Sequence, residues 1–310
     1  MRTKYDFRYL SNKIFEADFI KEPFKHVYIE NFFSEEHFDE ILNSQEISAP
    51  DASSDKELID GLIQKGFKPI EFPGCTTDLG KYIDWHENGK KLSNHSACGG
   101  FGVALRLYKF SSDLFNELNA FLNSNKFNKV IAEKFLIKFN ECTIDNGIQK
   151  YLDGYEISPH PDIRKKAATF MVNINPNSKS EKMDHHTHYL KLKKKYAYIK
   201  EFWSGNPSID RAWLPWDWAE TVKQQTKNNS IVLFSPSNNT FHGVKASYNH
   251  LKTQRTQLYG NLWFKKNPAT KQMEWEQLDL NNTSNNSSTS KAIISQKSLV
   301  KKQSIGKRNI

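Results

Sequence analysis

Apolar positions recur with the helix period early in the chain and in strand-like runs later. In "SEEHFDEIL", Ser34 precedes Glu35 and Glu36, and Phe38, Ile41 and Leu42 fall on one face, so a short amphipathic helix capped by Ser34 is expected. "SSDLFNELNAFLNSNKFNKVIAEKF" repeats the pattern with Leu114, Phe115, Leu118, Phe121 and Leu122, breaks at 123–125, and resumes with Val130 and Ile131. Two more helices are expected there. The runs "FKHVYIENFF", "GVALRLYKF", "ATFMVNINP", "NSIVLFSP" and "QLYGNLWF" are rich in β-branched and aromatic residues and bounded by Gly, Pro, Asn and Ser, as strands are. Most lie after residue 100, without regular βα alternation. The pattern predicts an α+β protein whose later half is an antiparallel sandwich or barrel.

Composition narrows this picture. With 310 residues, 37% of them hydrophobic, the chain can bury a sizeable core. The start, "MRTKYDFRYLSNKIFEADF", lacks the apolar run of a signal peptide, and no window reaches the length of a membrane span, so a soluble, cytoplasmic protein is expected. Cys75, Cys98 and Cys142 have no CxxC spacing and are expected as reduced thiols. The formal charge of +9 is concentrated at the end: residues 281–310 hold six basic residues and no acid, which leaves +3 for residues 1–280. The segment 281–310, rich in Asn, Ser and Lys, is expected to be a disordered basic tail, at most a weak tether to nucleic acid, following a domain of residues 1–280.

The chemistry begins in "YLDGYEISPHPDIRKK". His160 and Asp162 stand two apart around Pro161, which fixes its own φ and biases His160 toward extended geometry, where residues i and i+2 share a face. About one His-x-acid pair is expected by chance in a chain with ten histidines and 35 acids. His37 and Asp39 supply the contrast: on a helix, that spacing points the two side chains apart. A second histidine follows in "NSIVLFSPSNNTFHGVKA", where a core-type strand leads through a polar turn to His242. Thirteen residues on, Arg255 starts "RTQLYGNLWF". Two histidines and a carboxylate are the donor types of a facial Fe(II) site with three open positions.

In that order these residues resemble the Fe(II)- and 2-oxoglutarate-dependent oxygenases, in the branch that includes prolyl 4-hydroxylases. The similarity spans residues 24–264 and includes "PFKHVYIENFFSEEHF", "YLDGYEISPHPD", "ATFMVNINP" and "VLFSPSNNTFHGV" with "RTQLYGNLWF". It implies a double-stranded β-helix, or jelly roll, with flanking N-terminal helices. It implies Fe(II) held by His160, Asp162 and His242, with 2-oxoglutarate and O2 as cosubstrates. Arg255 would pair with the distal carboxylate of 2-oxoglutarate, with Lys252 as its competitor, and Tyr151 would line the cosubstrate pocket. Asn173 stands where relatives often have tyrosine, and Gln257 where many have Ser or Thr. The implied reaction hydroxylates an aliphatic C–H of a small molecule, amino acid or prolyl residue, with succinate and CO2 as co-products. The competing expectation is a non-catalytic jelly roll that binds a metal or anion.

Residues 177–220 read as an insertion, a possible lid, with Trp203, Trp213, Trp216 and Trp218 either lining a site or filling a core. Within it, "DHHTHY" with His185, His186 and His188 reads as solvated because the segment is rich in lysine.

Overall fold

The computed structural model describes residues 4–48, 50–71, 74–90 and 101–268. The expected tail 281–310 and Cys98 lie outside them. In chain order, α1 (Arg8–Glu16), β1 (Val27–Glu30), α2 (Glu35–Leu42), α3 (Asp55–Gln64), β2 (Phe67–Pro69), α4 (Leu79–Glu87), β3 (Ala104–Leu107), α5 (Asp113–Leu122) and α6 (Asn125–Lys134) precede the main strands. Then follow β4 (Cys142–Tyr151), β5 (Glu156–His160), β6 (Lys166–Asn173), β7 (Thr187–Leu192), α7 (Ile199–Gly205), β8 (Ala219–Gln224), β9 (Ser230–Phe234), β10 (His242–Lys245) and β11 (Arg255–Phe264). The three expected helices are α2, α5 and α6. The hydroxyls of Ser34, Ser112 and Ser124 cap them by accepting from the third residue on, and Ser124 separates α5 from α6.

The strands form two antiparallel sheets, ordered β1-β9-β6-β11-β4-β3-β2 and β5-β10-β7-β8. Consecutive strands from β4 to β7 alternate between the sheets, and so do those from β8 to β11. That winding is a double-stranded β-helix, with β1, β2 and β3 extending the larger sheet.

The strand period sorts the larger sheet's side chains. Ile148, Phe170, Val172, Ile231, Leu233, Leu258 and Leu262 join the core shared with the helices, including Leu118, Phe127 and Ile131. The alternate residues Met171, Val232, Phe234 and Tyr259 meet Tyr189 of the smaller sheet. Every residue of β6 is therefore buried. Gly260 pairs across the ladder with Phe170, whose ring lies 2.2 Å from where a Cβ would stand, so only glycine fits. The inward face of β11 carries Arg255, Gln257, Tyr259 and Asn261, a polar row that a purely structural core would not bury.

The span 177–220 is more than an inserted loop. It contains β7, an interior strand between β10 and β8. A single buried strand flanked by lysines carries little periodicity, which is why the sequence pattern passes over it.

Candidate metal centre

His160 closes β5 and His242 opens β10, and the two are cross-strand partners with ring centroids 4.3 Å apart. Asp162 reaches the same point by a route that differs from the extended segment expected: its backbone is left-handed, with φ 70°, which aspartate tolerates better than most residues. The carboxylate Oδ1 lies 3.7 Å from His160 Nε2, and Oδ2 lies 3.7 Å from His242 Nε2. His160 Nδ1 is 2.8 Å from the Ser158 carbonyl and His242 Nδ1 is 2.9 Å from the Thr240 carbonyl. A carbonyl only accepts, so both Nδ1 atoms carry a proton, and the two Nε2 atoms, which face Asp162, are the ones placed to coordinate an ion. Each ring is thus held in the tautomer a metal requires.

All three residues are buried, and one donor atom from each lies within 4.8 Å of the others. Burial, with His160 adding to it, pushes the His242 pKa down to about 3, so the imidazole is neutral at ordinary pH. Burial works to raise that of Asp162, but the Lys166 ammonium, 2.7 Å away, outweighs it and holds the carboxyl well below the usual range. Two neutral imidazoles and one carboxylate fit a divalent ion such as Fe(II).

A small cavity joins this group to Arg255, Tyr151, Tyr155, Thr187 and Gln257. Arg255 is buried, its Nη2 donating to Thr187 Oγ1 at 2.8 Å and to Gln257 Oε1 at 3.1 Å, with the guanidinium 4.6 Å from the Tyr151 ring. Among the described residues no carboxylate lies within ion-pair distance of it. Lys252, by contrast, is exposed in the turn before β11 and borders a surface hollow with Pro50 and Glu57. Asn173 is off the cavity wall: its Oδ1 accepts from Gln257 Nε2 at 2.8 Å, and its Nδ2 donates to the carbonyls of Gln225 and Lys227. It steadies Gln257 and the turn before β9 from behind.

Beyond the histidines a larger cleft of about 500 Å³ opens, bordered by Arg106, Tyr108, Asp145, Arg211, Trp213 and Trp263 as well as His160, Asp162 and Lys166. Its wall at Trp213 is anchored through Arg164, which lies over the Trp203 ring and donates to the carbonyls of Ile209 and Asn206. Leu214 N–H also donates to the Pro159 carbonyl at 2.9 Å. Of the four tryptophans in the span, Trp213 lines the cleft. Trp203 is buried, Trp216 donates to Glu156 Oε1, and Trp218 stacks on Tyr196.

The sequence reading overlooked Lys166, Thr169 and Thr187: Lys166 and Thr187 open their strands and look like solvated ends, and Thr169 is a single threonine within an apolar strand. It also placed "DHHTHY" in solvent, and the structure corrects this. His185 and His186 are 0% and 3% exposed, since they lead directly into the interior strand β7. Burial, reinforced by His186 and Arg255, drops His185 to about 2, and burial with Arg255 drops His186 to about 4.

Unfolded histidines titrate near 6.5. The unfolded chain therefore binds protons that the folded one refuses, and stability present above about pH 6.5 is lost as pH falls toward 4. Each histidine removes up to about 1.4 kcal/mol per pH unit once the unfolded form is protonated, so the pair removes about 3 kcal/mol between pH 6.5 and 5. His86, raised by Asp153 and Asp55 despite its burial, acts with the opposite sign. The decisive quantity is therefore the difference between proteins: urea unfolding of the His186→Asn variant should show a slope with pH about half as steep in these two sites' contribution. An unchanged slope would exclude the assignment.

A second acid–histidine group, Asp55, His86 and His250, has metal-like spacing. His250 Nδ1 accepts from the Asp153 N–H at 2.9 Å, so its Nε2 carries the proton toward Asp55 Oδ1, 2.6 Å away. His86 lies between Asp55 and Asp153, 2.5 and 2.8 Å from them. Every ring nitrogen is engaged, and the group ties α3 and α4 to the turns that precede β5 and β11.

No family model and no curated protein sequence matches the chain. Among solved structures, the chain is similar to a prolyl hydroxylase from Trichoplax adhaerens in complex with a hypoxia inducible factor oxygen degradation domain peptide fragment. That match has 13% identity and a TM-score of 0.41, and covers 84% of this chain and 90% of that one. It is also similar to a Pseudomonas putida prolyl-4-hydroxylase, at 7% identity and a TM-score of 0.42, covering 83% and 98% of the two chains. A third similar structure is HygX from Streptomyces hygroscopicus with nickel, 2-oxoglutarate and hygromycin B bound, at 8% identity and a TM-score of 0.33, covering 76% and 81%.

Proposed function

We propose that the protein is an Fe(II)- and 2-oxoglutarate-dependent dioxygenase that hydroxylates an aliphatic C–H, with succinate and CO2 as co-products. One observation carries this reading. A buried His160–Asp162–His242 group, with both Nε2 atoms turned toward the carboxylate, shares a cavity with a buried arginine that has no carboxylate within ion-pair distance among the described residues. A buried guanidinium is costly unless an anion meets it, and its fork matches a carboxylate two-pronged. A ligand with a metal-chelating end and a distal carboxylate satisfies both requirements, as 2-oxoglutarate does.

In this reading His160, Asp162 and His242 hold Fe(II), which supplies the O2 chemistry when bound. Arg255, oriented by Thr187 and Gln257, fixes the far end of the cosubstrate, and Tyr151 shields it from water. The substrate, a small molecule, amino acid or prolyl residue, enters by the aromatic cleft beyond His160, where Trp213 and Trp263 give rigid apolar walls between charged groups.

Anaerobic addition of Fe(II) and 2-oxoglutarate should produce the weak visible charge-transfer band of the chelate. Exposure to O2 with a screen of amino acids, prolyl peptides and metabolites should then release succinate in step with one of them. No band at saturating concentrations would end the proposal, and a band without succinate for any substrate would leave a binding module in its place.

A further inference from the structure

We propose that Lys166 is a positioning residue of the metal centre: its ammonium holds one oxygen of Asp162 away from the ion and adds a positive charge beside it. This inference rests on the reading of His160, Asp162 and His242 as ligands. Lys166 starts β6, and its N–H donates to the Ile163 carbonyl at 3.1 Å, so the chain turns back and brings residue 166 over residue 162. Its Nζ lies 2.7 Å from Asp162 Oδ1 and 2.8 Å from Tyr259 Oη, and also lies over the Tyr259 and Trp263 rings. The side chain is 6% exposed. Burying an ammonium next to a would-be metal ligand is expensive, and a purely structural role could be filled by an apolar side chain of similar volume.

The geometry divides the carboxylate between two tasks. Oδ1 accepts from the ammonium, whereas Oδ2, among the described residues, accepts from the Thr169 hydroxyl alone, at 3.2 Å, itself also within reach of Asn261 Oδ1 at 3.1 Å. Oδ2 is thus the oxygen left to coordinate. A carboxylate that gave one oxygen would leave more of an ion's coordination sphere open to a chelating 2-oxo acid and O2 than one that gave both. The charge also changes. Two neutral imidazoles and a carboxylate sum to −1, and Lys166 brings the four side chains to zero. A bound dication then keeps its full +2, which a dianionic 2-oxo acid neutralises. The same positive charge favours Fe(II) over Fe(III).

Three variants separate charge from hydrogen bond: Lys166→Arg keeps both, Lys166→Gln keeps only the bond, and Lys166→Met keeps neither. The Fe(III)/Fe(II) midpoint potential, measured with redox mediators, should move to more negative values in the Gln and Met proteins and stay near wild type in the Arg protein. The Kd of the Fe(II)-loaded protein for 2-oxoglutarate, read from the charge-transfer band, should rise at least tenfold in the Met protein and less than threefold in the Arg protein. Should the Met protein fail to fold, the Gln protein carries the potential measurement. If wild type binds Fe(II) but all folded variants keep its potential, or if Lys166→Met only tightens Fe(II) binding, the lysine is a structural ion pair and the inference falls. Absence of Fe(II) binding by wild type would instead remove the triad reading on which it rests.

Discussion

Asp162→Ala should lower affinity for Fe(II), or for Co(II) as a spectroscopic substitute, at least a hundredfold, a loss of about 2.7 kcal/mol or more, and abolish succinate formation. Asp39→Ala should change neither. The two aspartates have the same spacing from a histidine, but Asp39 is exposed on α2, whereas Asp162 is buried with its oxygens 3.7 Å from two Nε2 atoms. Alanine at 162 also strands the Lys166 ammonium without a carboxylate, and breaking a buried pair costs about 3–5 kcal/mol. Lost metal binding could then report lost folding. Asp162→Asn keeps the shape and an oxygen acceptor for Lys166, so the paired measurement is thermal unfolding alongside metal titration. If the Asn protein folds and binds the ion with wild-type affinity, the carboxylate is not a ligand.

Which parts of this were legible in the sequence follows from what each residue type can signal. Ser34 announces a helix start because few other residue types accept a hydrogen bond there, and the structure places the cap; Ser112 and Ser124 cap α5 and α6 in the same way, although the apolar pattern alone marks those helices. His160 and Asp162 stood out because Pro161 biases His160 toward extended geometry, although Asp162 itself is left-handed rather than extended. The strand β11 reads correctly because its two faces differ: leucines and Gly260 meet the helices, and Arg255, Gln257 and Tyr259 meet the interior. The strand β7 does not, since its neighbours are lysines and its buried residues include threonine and tyrosine. Lys166 was hidden for the same reason. A lysine beside Arg164 and Lys165 looks solvated, and only the fold brings it 2.7 Å from Asp162. Long-range pairing decides such cases, and local pattern carries no record of it.

Arg255→Gln should raise the apparent KM for 2-oxoglutarate at least tenfold, a loss of about 1.4 kcal/mol or more, while Lys252→Gln should change it less than threefold. The two cations differ in every respect that matters to a small anion. Arg255 is anchored on β11, whose backbone pairs with β4 from Arg255↔Tyr151 onward, and its own N–H donates to Tyr248 Oη. Its guanidinium is oriented by Thr187 and Gln257 and opens into the cavity that holds His160, Asp162 and His242. Lys252 is exposed in a turn, where water screens its charge and its four-carbon stem is free to move. Glutamine at 255 retains a donor for Gln257 but loses the charge and the fork, so the defect should appear in KM for the cosubstrate more than in affinity for the metal. Fe(II) binding by Arg255→Gln within about threefold of wild type, beside a tenfold KM effect, would place the arginine at the anion and not at the ion. A larger defect in Lys252→Gln would mean that the cosubstrate lies outside the barrel, against the exposed turn, and the cavity would then need another ligand.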